Sequence, residues 1–196
     1  DTDRSRGLGD VYKRQKLECA GCRMCEQICP KNAIRMEEDE EGFLRPVVDE
    51  NLCINCGLCI KRCPQRNEVE KSKENQTAYA AKIKNIDTLK NSSSGGVFSV
   101  LANEYIKNNG KVYGAAYDEN FNVMHIGVDT LEGLKKIRGS KYVQSNTLDT
   151  YNNVKKDLQE GKQVLYSGTA CQIAGLNKFL EKNYKNLLTV DIVCHG

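Results

Sequence analysis

The chain of 196 residues contains no tryptophan and only three prolines. It has no run of about 18 apolar residues, the length that a transmembrane helix needs, so the sequence predicts no membrane span. It also lacks the basic start, apolar core and small-residue cleavage site of a secretory signal peptide, and we therefore expect a cytoplasmic protein. A net charge of only +3, without clustered basic and aromatic residues, argues against nucleic acid as a partner.

In contrast to these absences, cysteine is abundant, with ten in the chain. Eight of them lie in two runs, residues 19–30 and 53–64, with the same C-x2-C-x2-C-x3-C-P spacing. Because a cytoplasmic protein keeps its thiols reduced, clustered cysteines favour metal or redox chemistry over disulfides. A proline follows the fourth cysteine of each run, where it removes a backbone donor and turns the chain away.

The spacing of both runs is typical of ligands to two 4Fe–4S clusters. Three cysteines of a run wrap one cluster, and the fourth, which cannot reach that cluster, ligates the other one. Structural zinc, usually held by paired C-x2-C motifs, and disulfides are the alternatives. The predicted ligands are Cys19, Cys22, Cys25 and Cys63 for one cluster, and Cys53, Cys56, Cys59 and Cys29 for its twin.

Composition divides the chain into four parts. Residues 1–15 have no apolar periodicity, resemble a translated adapter sequence and are expected to be non-native and disordered. Residues 16–67 are predicted to form an α+β ferredoxin-like two-cluster module, with a hairpin whose acidic turn over 37–41 is either merely solvated or a docking site. The polar stretch 68–76 reads as a linker, and residues 77–196 as an α/β domain that is truncated at its C-terminus.

In this second domain, strands and helices alternate, which predicts a largely parallel sheet. Helices are expected at 95–110, 130–137, 147–161 and 171–183, and strands at 77–83, 111–118, 122–129, 163–168 and 187–195.

Three loops of the domain are candidates for ligand binding. In "SSSGG" (92–96), serines cap a helix and glycines let an anion approach, although a linker or a plain cap explains it equally. "RGSKYVQS" (138–145) offers cations for phosphate and a ring for stacking, or is only a helix end and a strand. "SGTACQIAG" (167–175) puts Cys171 at a helix start, where the dipole lowers a thiol pKa, although a buried free cysteine is common. His125, in an apolar strand, is expected to be structural.

Together, "SSSGGVFSVLA", "IRGSKYVQS", "YSGTACQIAGL" and "VDIVCHG" resemble the β-subunit family of coenzyme F420-reducing hydrogenase and dehydrogenase. Its relatives include 7-hydroxymethyl chlorophyll a reductase and ferredoxin-dependent divinyl reductases. The resemblance implies a ferredoxin module followed by an α/β domain that binds FAD. One departure is Ala170, where the family usually has proline. The FAD-site residues that the resemblance implies are Ser94, Gly95, Gly96, Gly139, Ser140, Lys141, Tyr142, Gln144, Ser145, Gly168, Thr169 and Gln172.

The resemblance also implies a function. Electrons are expected to pass from a ferredoxin or another redox protein through both clusters to FAD, and on to coenzyme F420 or another small organic acceptor, or in reverse. A non-catalytic electron-transfer subunit of a larger complex is the alternative, and substrate binding in surface-polysaccharide metabolism is a third. Cys171 and His195 are candidate catalytic residues. Cys171 and Cys194 are also candidate ligands of a further 4Fe–4S cluster, completed by cysteines outside this sequence.

Overall fold

The computed structural model describes residues 19–67 and 76–194. The predicted non-native segment 1–15, nearly all of the predicted linker and the candidate His195 lie outside these residues. The chain divides into two compact units, Asp1–Glu68 and Val69–Gly196. Within the described ranges, no helix is long and apolar enough to cross a membrane.

The first unit is built from a hairpin and two one-turn helices. The strands pair antiparallel, from Ile34 opposite Val48 to Glu38 opposite Leu44, which confirms the hairpin predicted between the cysteine runs. In chain order, the elements are α1 (Met24–Gln27), β1 (Ile34–Glu38), β2 (Leu44–Val48) and α2 (Leu58–Lys61).

Equivalent residues of the two cysteine runs adopt the same backbone conformation. Arg23 and Gly57, which directly precede α1 and α2, are both left-handed, with φ of 59° and 71°. Gly21 and Asn55 are left-handed at the next pair of equivalent positions, with φ of 64° and 53°. Each run therefore turns back on itself twice within a few residues, which directs its cysteines toward a common point. The repeat in the sequence is thus a repeat in the structure.

The second unit is a four-stranded mixed sheet covered by helices. Its strand order is β4–β3–β5–β6, where β4 is antiparallel to β3 and the other two pairs are parallel, so the predicted α/β alternation is confirmed. The elements are α3 (Ile86–Lys90), α4 (Val97–Lys107), β3 (Lys111–Tyr117), β4 (Val123–Val128), α5 (Leu131–Ile137), α6 (Thr150–Gln159), β5 (Val164–Thr169), α7 (Ala170–Leu180) and β6 (Leu187–Ile192).

One predicted strand is wrong. Residues 77–83 form no strand and are exposed except for half-buried Ile83, whose N–H donates to the Gly95 carbonyl oxygen at 2.7 Å. Apart from Ile83 its side chains stay in solvent, so the segment buries no apolar face on the sheet. The helix α3 that follows was not predicted, although Asn85 accepts a 2.8 Å hydrogen bond from the Thr88 N–H as a standard N-cap.

Both faces of the sheet are buried. On one face, Ala102 and Ile106 of α4 and Leu134 of α5 pack against Val112 and Leu165 of the central strands. Burial of each valine, leucine or isoleucine side chain in this set contributes about 1.5–3 kcal/mol. On the other face lies an aromatic cluster from α6, α7 and the strands, with Tyr151 6.0 Å from Tyr166 and 5.9 Å from Phe179 between ring centroids. A sheet covered on both faces explains why β5 is buried along most of its length.

Candidate functional site

Four cysteines from both runs line one cavity in the first unit. It brings Cys63, the last cysteine of the second run, to Cys19, Cys22 and Cys25 of the first. Counted out to its open mouth, the cavity has a volume of about 450 Å³. Much of the apolar wall of the cavity comes from Met24, Pro46 and Pro64. The Met24 side chain is only 1% exposed. This is the arrangement that crossed ligation by the two runs requires.

The other four cysteines form a second set. Burial raises the pKa of the Cys59 thiol above its ordinary value, and the neighbouring thiols of Cys53, Cys56 and Cys29 raise it further. Cys29, the last cysteine of the first run, thus lies near enough to Cys59 for their thiolates to repel each other, as crossed ligation requires. Each set thus combines three neighbouring cysteines with one that is distant in sequence.

The chemistry of the first set fits a 4Fe–4S cluster. Burial raises the pKa of the Cys25 thiol well above its ordinary value, and Cys22 and Cys19 add to this by charge repulsion. Four thiolates held this close need a compensating positive charge, which iron supplies. A zinc ion would need ligand atoms about 2.3 Å from a single point. The four cysteines instead line a cavity.

Backbone amides point at one sulfur of each set. The Gly21 N–H donates to Cys19 Sγ, and the Ala33 N–H donates to Cys29 Sγ, both at 3.3 Å. Hydrogen bonds to ligand sulfurs stabilise negative charge and are one of the factors that set the reduction potential of a cluster. All eight cysteines are free thiols rather than disulfides.

The two sets differ in exposure although their spacing is identical. In the first run, Gly21 and Met24 are buried beside the cysteines. In the second run, Cys56 is exposed, and its neighbour Ile54 is 57% exposed. Leu52, at the start of the same loop, is half exposed. The loop over 51–56 therefore leaves the second set more accessible to solvent than the first.

In the second unit, the topology brings the three candidate loops to one edge of the sheet. The helix α4 leads directly into β3, and α6 leads directly into β5. Each helix runs back along the sheet before its strand begins, so α4 starts beside the carboxyl end of β3 and α6 starts beside the carboxyl end of β5. The helix α5 follows the antiparallel strand β4 and therefore ends at the same edge, and α7 begins there. Ligands of open α/β sheets bind outside the carboxyl ends of the strands. The strings 92–96, 138–145 and 167–175 all belong to this edge.

Hydrogen bonds join these three strings to one another. The Ser140 N–H donates to Ser93 Oγ at 2.6 Å, which joins the first string to the second. The Gln172 side-chain amide donates to the Ser145 carbonyl oxygen at 3.2 Å, which joins the second to the third. Strings that are far apart in sequence thus form one connected layer of loops.

His125 adds a further link beneath this layer. Its Nε2 lies 3.0 Å from the Ser167 carbonyl oxygen, which can only accept, so Nε2 carries the proton. Its Nδ1 therefore accepts from Ser145 Oγ at 2.6 Å, and the ring stacks on Tyr166 at 5.3 Å. Burial lowers the pKa of His125 to about 4, so the ring is neutral at pH 7. These contacts agree with the structural role expected for it.

Several of the residues implied for FAD binding already contact other segments of this chain. A Cβ on Gly95 would lie 2.2 Å from the Ala81 carbonyl oxygen, and one on Gly96 would lie 2.7 Å from the Ile83 side chain. The expectation that these glycines open room for an anion is therefore not met, because residues 81–83 fill that room. Gln172 and Ser145 are buried and hydrogen-bonded within the loop layer.

Lys141 is also engaged by the chain. Its ammonium donates to the carbonyl oxygens of Lys136, Arg138 and Gly139 at 2.7–3.3 Å, at the carboxyl end of α5. A lysine there stabilises the helix dipole. Desolvation lowers the pKa of Lys141. The sequence suggested a phosphate ligand, whereas in the structure this side chain caps a helix.

The other candidates at the edge differ in exposure. The Tyr142 side chain is 91% exposed, and Arg138 has a buried Nε without a hydrogen-bond partner. The resemblance did not include Arg138 among the site residues, and only its place in the charged string signals it. Such an unpaired guanidinium N–H suits a phosphate. The remaining implied residues are exposed Ser94, Gly139, Ser140 and Gln144, half-buried Thr169 and buried Gly168.

The two remaining cysteines lie at the same edge. Thr169 pairs with Ile192 in the parallel ladder, and Cys171 and Cys194 each follow two residues later. Cys171 is half-buried, with its Sγ 3.1 Å from Thr169 Oγ1, and Cys194 is exposed. The structure thus brings the two to neighbouring strand ends.

Two family profiles match the chain, each described as a 4Fe–4S dicluster domain. They cover residues 18–67 and 45–94, and they overlap in the second cysteine run. The range 45–94 contains only four cysteines, so the two profiles describe one module rather than two.

Curated relatives cover different parts of the chain. "Coenzyme F420-dependent sulfite reductase" of Methanocaldococcus jannaschii is 30% identical over 164 residues, which are 82% of this chain and 25% of that protein. A component of the ion-translocating oxidoreductase complex of Methanosarcina acetivorans is 40% identical over 29% of this chain and 20% of its own length. A component of the NADH-quinone oxidoreductase of Pelobacter propionicus is 30% identical over 32% of this chain and 38% of its own.

The chain spans about a quarter of the length of the sulfite reductase that it matches. The alignment of 164 residues is longer than the whole first unit, which ends at Glu68. It therefore extends through much of the α/β unit. The two shorter matches cover only about a third of this chain or less, which is close to the share taken by the first unit.

Proposed function

We propose that this chain, an iron–sulfur, ferredoxin-like electron-transfer protein related to oxidoreductase subunits, passes electrons through two 4Fe–4S clusters to FAD and on to an organic acceptor. The observation that carries the proposal is the cavity lined by Cys19, Cys22, Cys25 and Cys63. Three ligands from one run and one from the other tie the two clusters into a single small fold, which suits a relay of electrons between them.

When bound, clusters exchange single electrons and a flavin exchanges one or two, so the pair converts between one-electron and two-electron chemistry. The task of the chain is to hold and tune these groups. Met24 and Pro46 would exclude water from the first cluster, and the amides of Gly21 and Ala33 would stabilise charge on ligand sulfurs. A ferredoxin or another cytoplasmic redox protein is the proposed partner of the clusters.

The proposed flavin site is the layer of loops at the carboxyl edge of the sheet. There, Arg138 and the exposed Ser94 and Ser140 would bind phosphate oxygens, and Tyr142 would stack on a ring. The acceptor would be coenzyme F420 or another small molecule, and electron flow in either direction is compatible with the proposal. Support for an F420-type acceptor comes from the name of the M. jannaschii relative.

The proposal extends to the two edge cysteines. Cys171 and Cys194 would supply two ligands of a further 4Fe–4S cluster, with the others coming from cysteines outside this sequence. As an alternative use, Cys171 would act as a catalytic thiol beside the flavin. Its place at the start of α7 supports either role, because a helix N-terminus stabilises a thiolate.

A second candidate function is a non-catalytic electron-transfer subunit of a larger oxidoreductase. This function is favoured because four residues implied for FAD binding contact the chain itself instead, namely Gly95, Gly96, Lys141 and Gln172. A relay of this kind would carry the clusters and use the α/β unit only for docking.

Cofactor analysis after anaerobic reconstitution tests these functions. The proposal expects about eight irons and one FAD per chain for the described clusters and the flavin. Replacing Tyr142 with alanine should lower the flavin content, whereas Tyr79→Ala, an exposed tyrosine outside the three strings, should not. Eight irons without flavin would favour the electron-transfer subunit, and a chain that takes up no iron would overturn both functions.

A further inference from the structure

An ion pair of the hairpin lies beside the first cysteine set. Asp39, in the turn between β1 and β2, accepts hydrogen bonds at Oδ1 from the N–H groups of Glu41 at 3.1 Å and Phe43 at 2.9 Å. Its Oδ2 accepts from Arg45 Nε at 2.9 Å. Because the carboxylate is fixed by three donors, the Arg45 guanidinium is fixed with it.

Arg45 extends from this pair to the first ligand cysteine. Its Nη1 donates to the Cys19 carbonyl oxygen, and Cys19 lines the cavity. The guanidinium lies 5.7 Å from the centroid of the Phe43 ring, which it covers on one side. The Arg45 side chain is 22% exposed and that of Asp39 is 30% exposed, so water screens their charges only in part.

Both members of the pair carry a full charge at neutral pH, as an aspartate and an arginine ordinarily do. Arg45 thus places a positive charge in contact with a ligand cysteine through Nη1, while its counter-charge on Asp39 is bound at Nε.

We propose that the Asp39–Arg45 pair sets the reduction potential of the cluster held by Cys19, Cys22, Cys25 and Cys63, and acts much less on its twin. The inference rests on the proposed ligation of that cluster. Reduction adds one negative charge, which Arg45 stabilises and Asp39 destabilises. Arg45 is the group in contact with Cys19, so the net effect raises the potential.

A purely structural role predicts something different. If the pair only fastened the hairpin to the first cysteine loop, removing either member would loosen the same contact and change the cluster in the same way. The electrostatic role predicts opposite signs for the two members. The hairpin offers a matched control in Arg35, whose pair with Glu37 at 2.5 Å is 60% and 49% exposed and therefore well screened.

The experiment is a redox titration of the reconstituted full chain, followed by electron paramagnetic resonance so that the two clusters are resolved. Their signals are assigned with Cys22→Ser and Cys56→Ser, each of which alters one predicted set. Arg45→Gln should lower the potential of the first cluster and Asp39→Asn should raise it, each by roughly tenfold in the reduction equilibrium, or about 59 mV. Arg45→Lys should stay near wild type, since it keeps the charge, and so should Arg35→Gln.

Shifts of equal sign in Arg45→Gln and Asp39→Asn, or shifts no larger than that of Arg35→Gln, would overturn the inference. Equal shifts of both clusters would do so too. If Arg45→Gln fails to assemble, Asp39→Asn still tests the sign of the shift, and Arg45→Lys still tests whether keeping the charge keeps the potential. The proposed function fails separately, when iron analysis finds no clusters at all.

Discussion

Gln172 donates from its side-chain amide to the Ser145 carbonyl oxygen, and its Oε1 accepts from the Thr169 N–H at 3.0 Å. One buried side chain thus caps α7 and joins two of the three loops at the edge of the sheet. Losing a capping box and leaving a buried acceptor unpaired each cost about 1 kcal/mol or more. We expect Gln172→Ala to lower the unfolding free energy of the α/β unit by about 2–3 kcal/mol.

Tyrosine fluorescence during urea unfolding measures this. The chain has no tryptophan, and eight of its nine tyrosines lie beyond residue 68, so the signal reports the α/β unit. Asn177→Ala, an exposed position on the same helix, is the control and should change the free energy by less than about 0.5 kcal/mol. Equal effects of the two substitutions would contradict the linking role of Gln172.

The buried His125 predicts a pH dependence of stability. Its pKa is about 4 in the folded chain, lowered by burial and by Lys141, and 6.5 when exposed. The unfolded chain therefore binds the proton first, and stability is lost as pH falls below about 6.5, until the loss is complete near pH 4. Between pH 7 and 5.5 this amounts to about 1 kcal/mol.

Thermal or urea unfolding of the α/β unit at the two pH values tests this dependence. His125→Gln removes the titrating group, so its stability should fall less over the same range, although it starts lower. If the variant loses as much stability as the wild type, another group is responsible.

Crossed ligation makes pairs of cysteine variants distinguishable. Cys25→Ala with Cys63→Ala should damage one cluster and leave about four irons, because both residues belong to the first set. Cys25→Ala with Cys29→Ala should damage both clusters, although these two residues are neighbours in sequence. Iron analysis and cluster absorbance provide the measurement. If the second pair spares more iron than the first, each run holds its own cluster.

Unequal exposure of the two sets predicts unequal loss of iron. Cys56 is exposed in the loop of the second set, whereas Met24 closes off the first. A chelator should therefore remove iron in two phases, the faster one from the second set. In Cys56→Ala the fast phase should disappear, and in Cys22→Ala it should remain. Identical release from both variants would contradict the assignment.

Local patterns in the sequence predicted much of this architecture. The spacing of the cysteines indicated a crossed arrangement because proline and a short loop restrict where each thiol can reach. The stripe from Val97 to Ile106 predicted a helix since its apolar spacing matches the helical period. The exposed segment 77–83 was mistaken for a strand because a short stretch of sequence does not reveal whether a sheet edge is available to pair with.

The loop layer was harder to predict than the elements. Gly95 and Lys141 belong to residue types that favour anion binding, so the sequence suggested a ligand for both. Their actual partners are the Ala81 carbonyl oxygen and the end of α5, contacts that depend on how distant segments pack. Sequence therefore identifies which loops meet, whereas packing decides which side chains remain available. Arg138 shows the converse, since its unpaired Nε is a property of burial alone.

The two possible roles of Gly95 lead to different results in a substitution. A Cβ there would overlap the Ala81 carbonyl oxygen at 2.2 Å, so Gly95→Ala must displace residues 81–83 and should cost about 3 kcal/mol. Gly161→Ala is the control: its φ is +82° with no atom within 4 Å of the added Cβ, so only backbone strain of about 1 kcal/mol is expected. If Gly95→Ala instead lowers flavin content with stability unchanged, the glycine borders a ligand rather than its own chain.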